Sequence, residues 1–139
     1  MTDPTVGVLR RSTHGMPIEQ YAAALRERLP DREVRLAETP AEERDLVADC
    51  EVVTGMVLDE GLLDHADAMR LFACAYAGVG HLPLDGLRER GVAVTNASGV
   101  HGPNIAEHVL GAILSFVRGF DEARHRQRRR EWRHFQADE

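Results

Sequence analysis

Five short apolar runs, separated by segments with helical periodicity, constrain this chain more than any other feature. They are Thr5–Leu9, Glu33–Ala37, Cys50–Met56, Arg70–Ala75 and Val92–Ala97. Several are apolar at consecutive positions, as expected of strands buried on both faces of a parallel sheet. The stretches between them are too long for hairpins, and their starts read as helix starts. Pro17 suits a first helical position ahead of Tyr21, Ala24, Leu25 and Leu29, which recur at helical spacing. Thr39-Pro40-Ala41-Glu42 has the form of a capping box with proline inside it. Asp59 can cap Glu60–His65, and Gly91 can close Leu84–Arg90 through a left-handed exit.

A β-α alternation of this kind predicts an α/β fold, a doubly wound parallel sheet. The expected architecture is flavodoxin-like, five strands in the order 2-1-3-4-5, followed by a long C-terminal helical arm. In such sheets ligands sit beyond the carboxyl ends of the strands, near the switch between strands 1 and 3. Here those ends are Arg10–Gly15, Thr54–Met56 and Tyr76–Gly80. Residues 1–100 read as one domain and 101–139 as a hinge and arm. The arm differs in kind. Ile105, Val109, Ala112, Ile113, Phe116, Val117 and Phe120 repeat at helical spacing, and Leu110 and Leu114 widen the stripe. Behind it, Asp121–Arg133 holds six arginines and three acids. A stripe that a 100-residue domain cannot cover predicts self-association, a homodimer through 102–133 burying Ile113, Phe116, Val117 and Phe120.

All 17 basic residues are arginine, against 23 acids, for a net charge of −6. An acidic, lysine-free surface suits a high-salt cytoplasm, and a GC-rich genome would replace lysine in the same way. The balance speaks against nucleic acid as a partner, including for the Arg124–Arg133 run with its single aromatic, Trp132. No apolar run approaches the ~18 residues of a membrane span. The N-terminus lacks the cationic and apolar blocks of a secretory signal, so a cytoplasmic location is expected. Cys50 and Cys74 fall in apolar runs and read as buried, inert thiols. His101 and His108 have no cysteine or carboxylate at ligand spacing, so no metal site is expected.

Ala77-Gly78-Val79-Gly80 stands just past a buried strand. Two glycines there let the backbone turn sharply and aim successive N–H groups at one point, an anion nest. Val94-Thr95-Asn96 and then Ala106-Glu107-His108 follow it. Together, over most of Ala77–Arg118, these segments resemble the D-isomer-specific 2-hydroxyacid dehydrogenases. The resemblance implies that Val79 and Gly80, with Gly78 shaping the turn, hold the carboxylate of a small 2-oxo or 2-hydroxy acid. It makes Gly99–His108 the passage between a substrate domain and a cofactor domain. Many family members carry asparagine where His101 stands, facing the substrate, and a histidine still offers a donor. Met56 falls where the family lines its substrate pocket, and ordinary core burial is the other reading. Asn104 has the position of a helix N-cap, with Glu107 completing a capping box. His108 reads as structural.

The resemblance further implies NAD or NADP as cofactor, held by a domain beyond Glu139, together with the catalytic side chains. No Gly-x-Gly-x-x-Gly occurs in the chain, because Pro83 stands where the third glycine after Gly78 and Gly80 would be. No catalytic or cofactor-binding residue is therefore expected here, and the chain by itself is expected to be inactive. The rival from another class is a stand-alone flavodoxin-like binding or dimerisation module. Its response-regulator version fails for want of an acidic pair after strand 1 and of any lysine. Its flavin-binding version has only the faint phosphate loop Arg11-Ser12-Thr13-His14-Gly15.

Overall fold

The computed structural model describes residues 5–134, Ser12 excepted. The chain divides after Gly99 into two compact units. The first runs β1 (Val6–Val8), α1 (Ile18–Arg28), β2 (Val34–Leu36), α2 (Pro40–Asp49), β3 (Val52–Gly55), α3 (Glu60–Leu63), β4 (Leu71–Cys74), α4 (Leu84–Glu89) and β5 (Ala93–Asn96). Its strands form one five-stranded sheet, order β2-β1-β3-β4-β5, and every neighbouring pair is parallel. Val6 pairs with Val34 on one side and Val52 on the other, and Phe72 with Val53 and Val94. The strands are shorter than the apolar runs, and Cys50 closes α2 by donating its N–H to Leu46 O at 2.9 Å.

Each face of the sheet has its own core. Val53, Phe72 and Cys74 pack with Leu46, Val47, Leu63, Leu87 and Val92, from α2 to the start of β5. On the other face Val6, Val8 and Val34 pack with Ile18 and Ala22 of α1, with Tyr21 and Leu25 at the margin. Only α1 contributes a helix to that second cluster, so burial on both faces stops short of the β4–β5 edge. Leu71 and Ala73 are half-buried and Ala93 and Thr95 exposed. Both cysteines are free and buried, and burial pushes the Cys50 thiol above its ordinary range, keeping it protonated and unreactive.

The caps follow local chemistry. Thr39 Oγ1 accepts the Glu42 N–H at 3.2 Å, while Glu42 reaches back one residue further than a capping box requires, to the Glu38 N–H at 2.7 Å. Asp59 Oδ1 accepts the Leu62 N–H at 2.8 Å, and Gly91 takes φ 70° after α4. Pro17 is the N-cap of α1 rather than its first helical residue, its carbonyl accepting from Gln20 and Tyr21.

The second unit is helical, as expected of the arm, and holds two helices, α5 (Gly102–Val117) and α6 (Phe120–Arg128). Gly119 takes the left-handed φ of 61°, and Arg118 and Gly119 donate back to Leu114 and Phe116, so α5 ends there and Phe120 starts α6. Asn104 is not the N-cap. Pro103 sits in the first turn, where no N–H is required, and the His101 carbonyl accepts the Ile105 N–H at 2.9 Å, so His101 is the N-cap and the helix starts at Gly102, three residues earlier. In α6, Arg126 Nε donates to Glu122 Oε1 at 2.7 Å, which holds the Glu122 carboxyl below its ordinary range. No helix among the described residues is long and apolar enough to cross a membrane.

Candidate functional site

The loops leaving β1, β3 and β4 meet at the carboxyl edge of the sheet, next to the point where strand order reverses. The first folds back on itself: Thr13 and Met16 exchange backbone hydrogen bonds at 3.2 and 2.8 Å around His14 and Gly15, at φ 50° and 80°. Two successive left-handed residues make a tight primed turn, which glycine accepts freely and histidine only at a cost. That conformation delivers the His14 ring to the third loop. Its Nε2–H donates to Ala75 O at 2.8 Å, and its edge meets the Tyr76 ring at 5.3 Å between centroids. The His81 ring also packs on Tyr76 at 5.2 Å between centroids, its Nε2–H donating to Met56 O at 2.7 Å. Two imidazoles thus tie three loops together around one phenol ring.

The segment Tyr76–Val79 is anchored through its carbonyls. Ala97 N donates to Tyr76 O (2.9 Å), Asn96 Nδ2 to Ala77 O (2.6 Å), Cys74 Sγ to Gly78 O (3.9 Å) and Leu82 N to Val79 O (3.0 Å). In a planar trans peptide the N–H points opposite to the C=O before it. Anchoring carbonyls 77, 78 and 79 to the protein therefore turns the N–H groups of Gly78, Val79 and Gly80 away from those anchors. None of these three N–H groups has an acceptor among the described residues. The Val79 side chain packs on the core and holds the turn in place.

The glycines serve a different end from the one expected of them. Neither Gly78 nor Gly80 has a positive φ, and a Cβ built on either would meet nothing within 4 Å. The sharp turn does not depend on left-handed backbone; what the missing side chains leave is open space in front of free amides. Beside it lies a cleft of about 540 Å³ lined by Arg10, Arg11, His14, Gly15, Met56, Val57 and Tyr76. Met56 satisfies both of its readings, being only 8% exposed and yet on the cleft wall. A larger hollow of about 640 Å³ between α3 and α4 is lined by Glu60, Asp64, Asp85 and Glu89 against one cation, Arg90, which Asp64 already engages at 2.7 Å, so its balance is unfavourable to an acid. His101 belongs to the second unit, as the residue before α5. Among the described residues no group of three or more His, Cys, Asp or Glu is placed to hold a metal.

The three-ring clamp is what sequence reasoning missed. His14 was legible as a strand-end residue, but the partners of His81 and His14 lie 25 and 61 residues away, and no local pattern announces them.

A dinucleotide's pyrophosphate does not fit this turn. That group needs a glycine-rich loop running directly into a helix N-terminus. Here His81, Leu82 and Pro83 separate Gly80 from α4, which has only six residues and no side-chain cap bond.

Comparison with known proteins gives a consistent result. The family model for the catalytic domain of D-isomer specific 2-hydroxyacid dehydrogenases matches residues 12–133. The glyoxylate/hydroxypyruvate reductase HPR3 of Arabidopsis thaliana is 29% identical over 79 residues, 57% of this chain and 24% of the relative. The D-lactate dehydrogenase of Treponema pallidum superposes with a TM-score of 0.74 at 19% identity, over 95% of this chain and 41% of that one. That of Aquifex aeolicus, solved with NAD and lactic acid, gives 0.71 at 19% identity, over 95% and 39%. The chain thus spans about a quarter of the curated relative and about two fifths of the solved structures.

Proposed function

Because the chain belongs to the D-isomer-specific 2-hydroxyacid dehydrogenase family, we propose that it supplies the substrate-carboxylate site of an oxidoreductase. The enzyme interconverts small 2-oxo acids and D-2-hydroxy acids with NAD or NADP. The observation that carries this reading is the row of unclaimed N–H groups at Gly78, Val79 and Gly80, facing space that no Cβ obstructs. Backbone donors fixed before the ligand arrives are the least costly way to hold a carboxylate, since no side chain must be ordered. With the carboxylate pinned on the turn, the orientation of the adjacent carbonyl carbon is set, and that is this chain's part in the reaction. The misfit between the turn and a pyrophosphate supports a substrate-side role, with NAD or NADP bound by other residues of the enzyme.

The test is an amide-shift titration of the ¹⁵N-labelled chain with pyruvate. Saturable shifts centred on residues 78–80, with a dissociation constant of about 1 mM, are expected for a few amide contacts to one exposed carboxylate. Shifts confined to other regions would overturn the assignment.

The same reading extends to assembly, as a homodimer through 102–133. It is supported by the exposure of α5, in which no residue is buried and Ile113, Phe116 and Val117 are 52, 88 and 71% exposed. Phe120, now in α6, is 56% exposed. Light scattering over a dilution series should report two chains for the wild type and one for Phe116→Asp. A wild type that stays monomeric at the highest concentration would refute it.

A further inference from the structure

Arginine chemistry at the end of β1 points to the kind of acid this site takes. The cleft beside the turn is lined by Arg10, Arg11 and His14 and by no carboxylate, in a chain whose net charge is −6. The two arginines are not equivalent. Glu43 claims Arg10 twice, accepting its backbone N–H and its Nε, both at 3.1 Å. Arg11 is exposed and makes no hydrogen bond or ion pair with any described residue. It also borders a hollow of about 340 Å³ that holds Glu43 and Asp59, yet pairs with neither. Tyr76 joins the cleft to the turn, since its ring lines one and its carbonyl anchors the other. The cleft's volume is within the range of small-ligand sites.

We propose that Arg11 receives a second anionic group, a carboxylate or a phosphate, on a 2-oxo or 2-hydroxy acid whose own carboxylate sits on the amides of Gly78–Gly80. The proposal rests on the carboxylate reading of that turn and adds the substrate class. A guanidinium without an internal partner offers its planar fork to an incoming oxyanion at no cost in broken ion pairs. Met56 and Tyr76 line the same cleft as Arg11 and give it apolar surface, suited to a short carbon chain.

The experiment titrates the 139-residue chain with pyruvate, 2-oxoglutarate and D-3-phosphoglycerate, reading amide shifts. Either probe with a second anionic group should bind about tenfold more tightly than pyruvate, the gain from one charge-assisted contact at a partly exposed site. Arg11→Gln should remove that advantage while leaving pyruvate affinity unchanged, and Arg11→Lys should restore most of it. Whichever of the two loses more affinity in Arg11→Gln identifies the second group as carboxylate or phosphate. Equal affinity for all three probes, or an advantage that survives Arg11→Gln, would overturn the role of Arg11 while leaving the turn's role intact. Silence at 78–80 with every probe would overturn both.

Discussion

Replacing Phe72 by alanine is expected to cost about 3–5 kcal/mol of folding stability. Phe72 is fully buried at the centre of the larger core, on β4 between Val53 and Val94, where Leu87 of α4 and Leu63 of α3 close over the sheet. Alanine would leave a cavity that strands hydrogen-bonded on both sides cannot collapse to fill. Because whole domains are stable by only about 5–15 kcal/mol, this single change should bring the chain close to unfolding at ordinary temperature. Urea titration followed by far-UV circular dichroism measures the loss. A shift below about 1 kcal/mol would mean that the space between sheet and α4 is not packed as described.

Gly80→Pro should separate binding from folding. Proline removes an N–H that no described residue uses, so no internal hydrogen bond is lost, and the position carries no left-handed φ. The cost therefore falls on the ligand. One carboxylate contact should disappear, weakening pyruvate by about 1–3 kcal/mol, or roughly five- to 150-fold, against a small change in stability. An unaltered dissociation constant would show that the amide of residue 80 does not face the carboxylate. A large loss of stability would show that the protein itself, and not the ligand, depends on this turn.

The sheet was legible in the sequence because its causes are local. Apolar runs and capping residues such as Thr39 and Asp59 act within a few positions of themselves, and a right-handed crossover rule leaves few ways to order such strands. The flavodoxin-like order 2-1-3-4-5 expected for such an alternation is the order observed. Strand limits were overestimated, because apolar residues extend beyond the ladder into neighbouring helix caps, as at Cys50, which closes α2 ahead of β3. At the start of α5, Asn104 and Glu107 had the pattern of a capping box. Pro103, fitted to the first turn, drew the helix start back to Gly102 instead.

The site divides in the same way. The position of Gly78-Val79-Gly80 after a buried strand, and its resemblance to a known turn, could be read from residue order. Which side of the turn offers its amides could not. That depends on Asn96, Cys74, Ala97 and Leu82 claiming the opposite carbonyls, contacts made across β5 and the next loop. Likewise Arg10 and Arg11 are adjacent and chemically identical in sequence. Only the approach of Glu43 from α2, 33 residues on, engages the first and leaves the second facing the cleft. Sequence determined which elements form, because hydrophobic period and capping are short-range. Tertiary structure decided which donors remain available, because a hydrogen-bonding group is free only when no distant part of the chain has reached it.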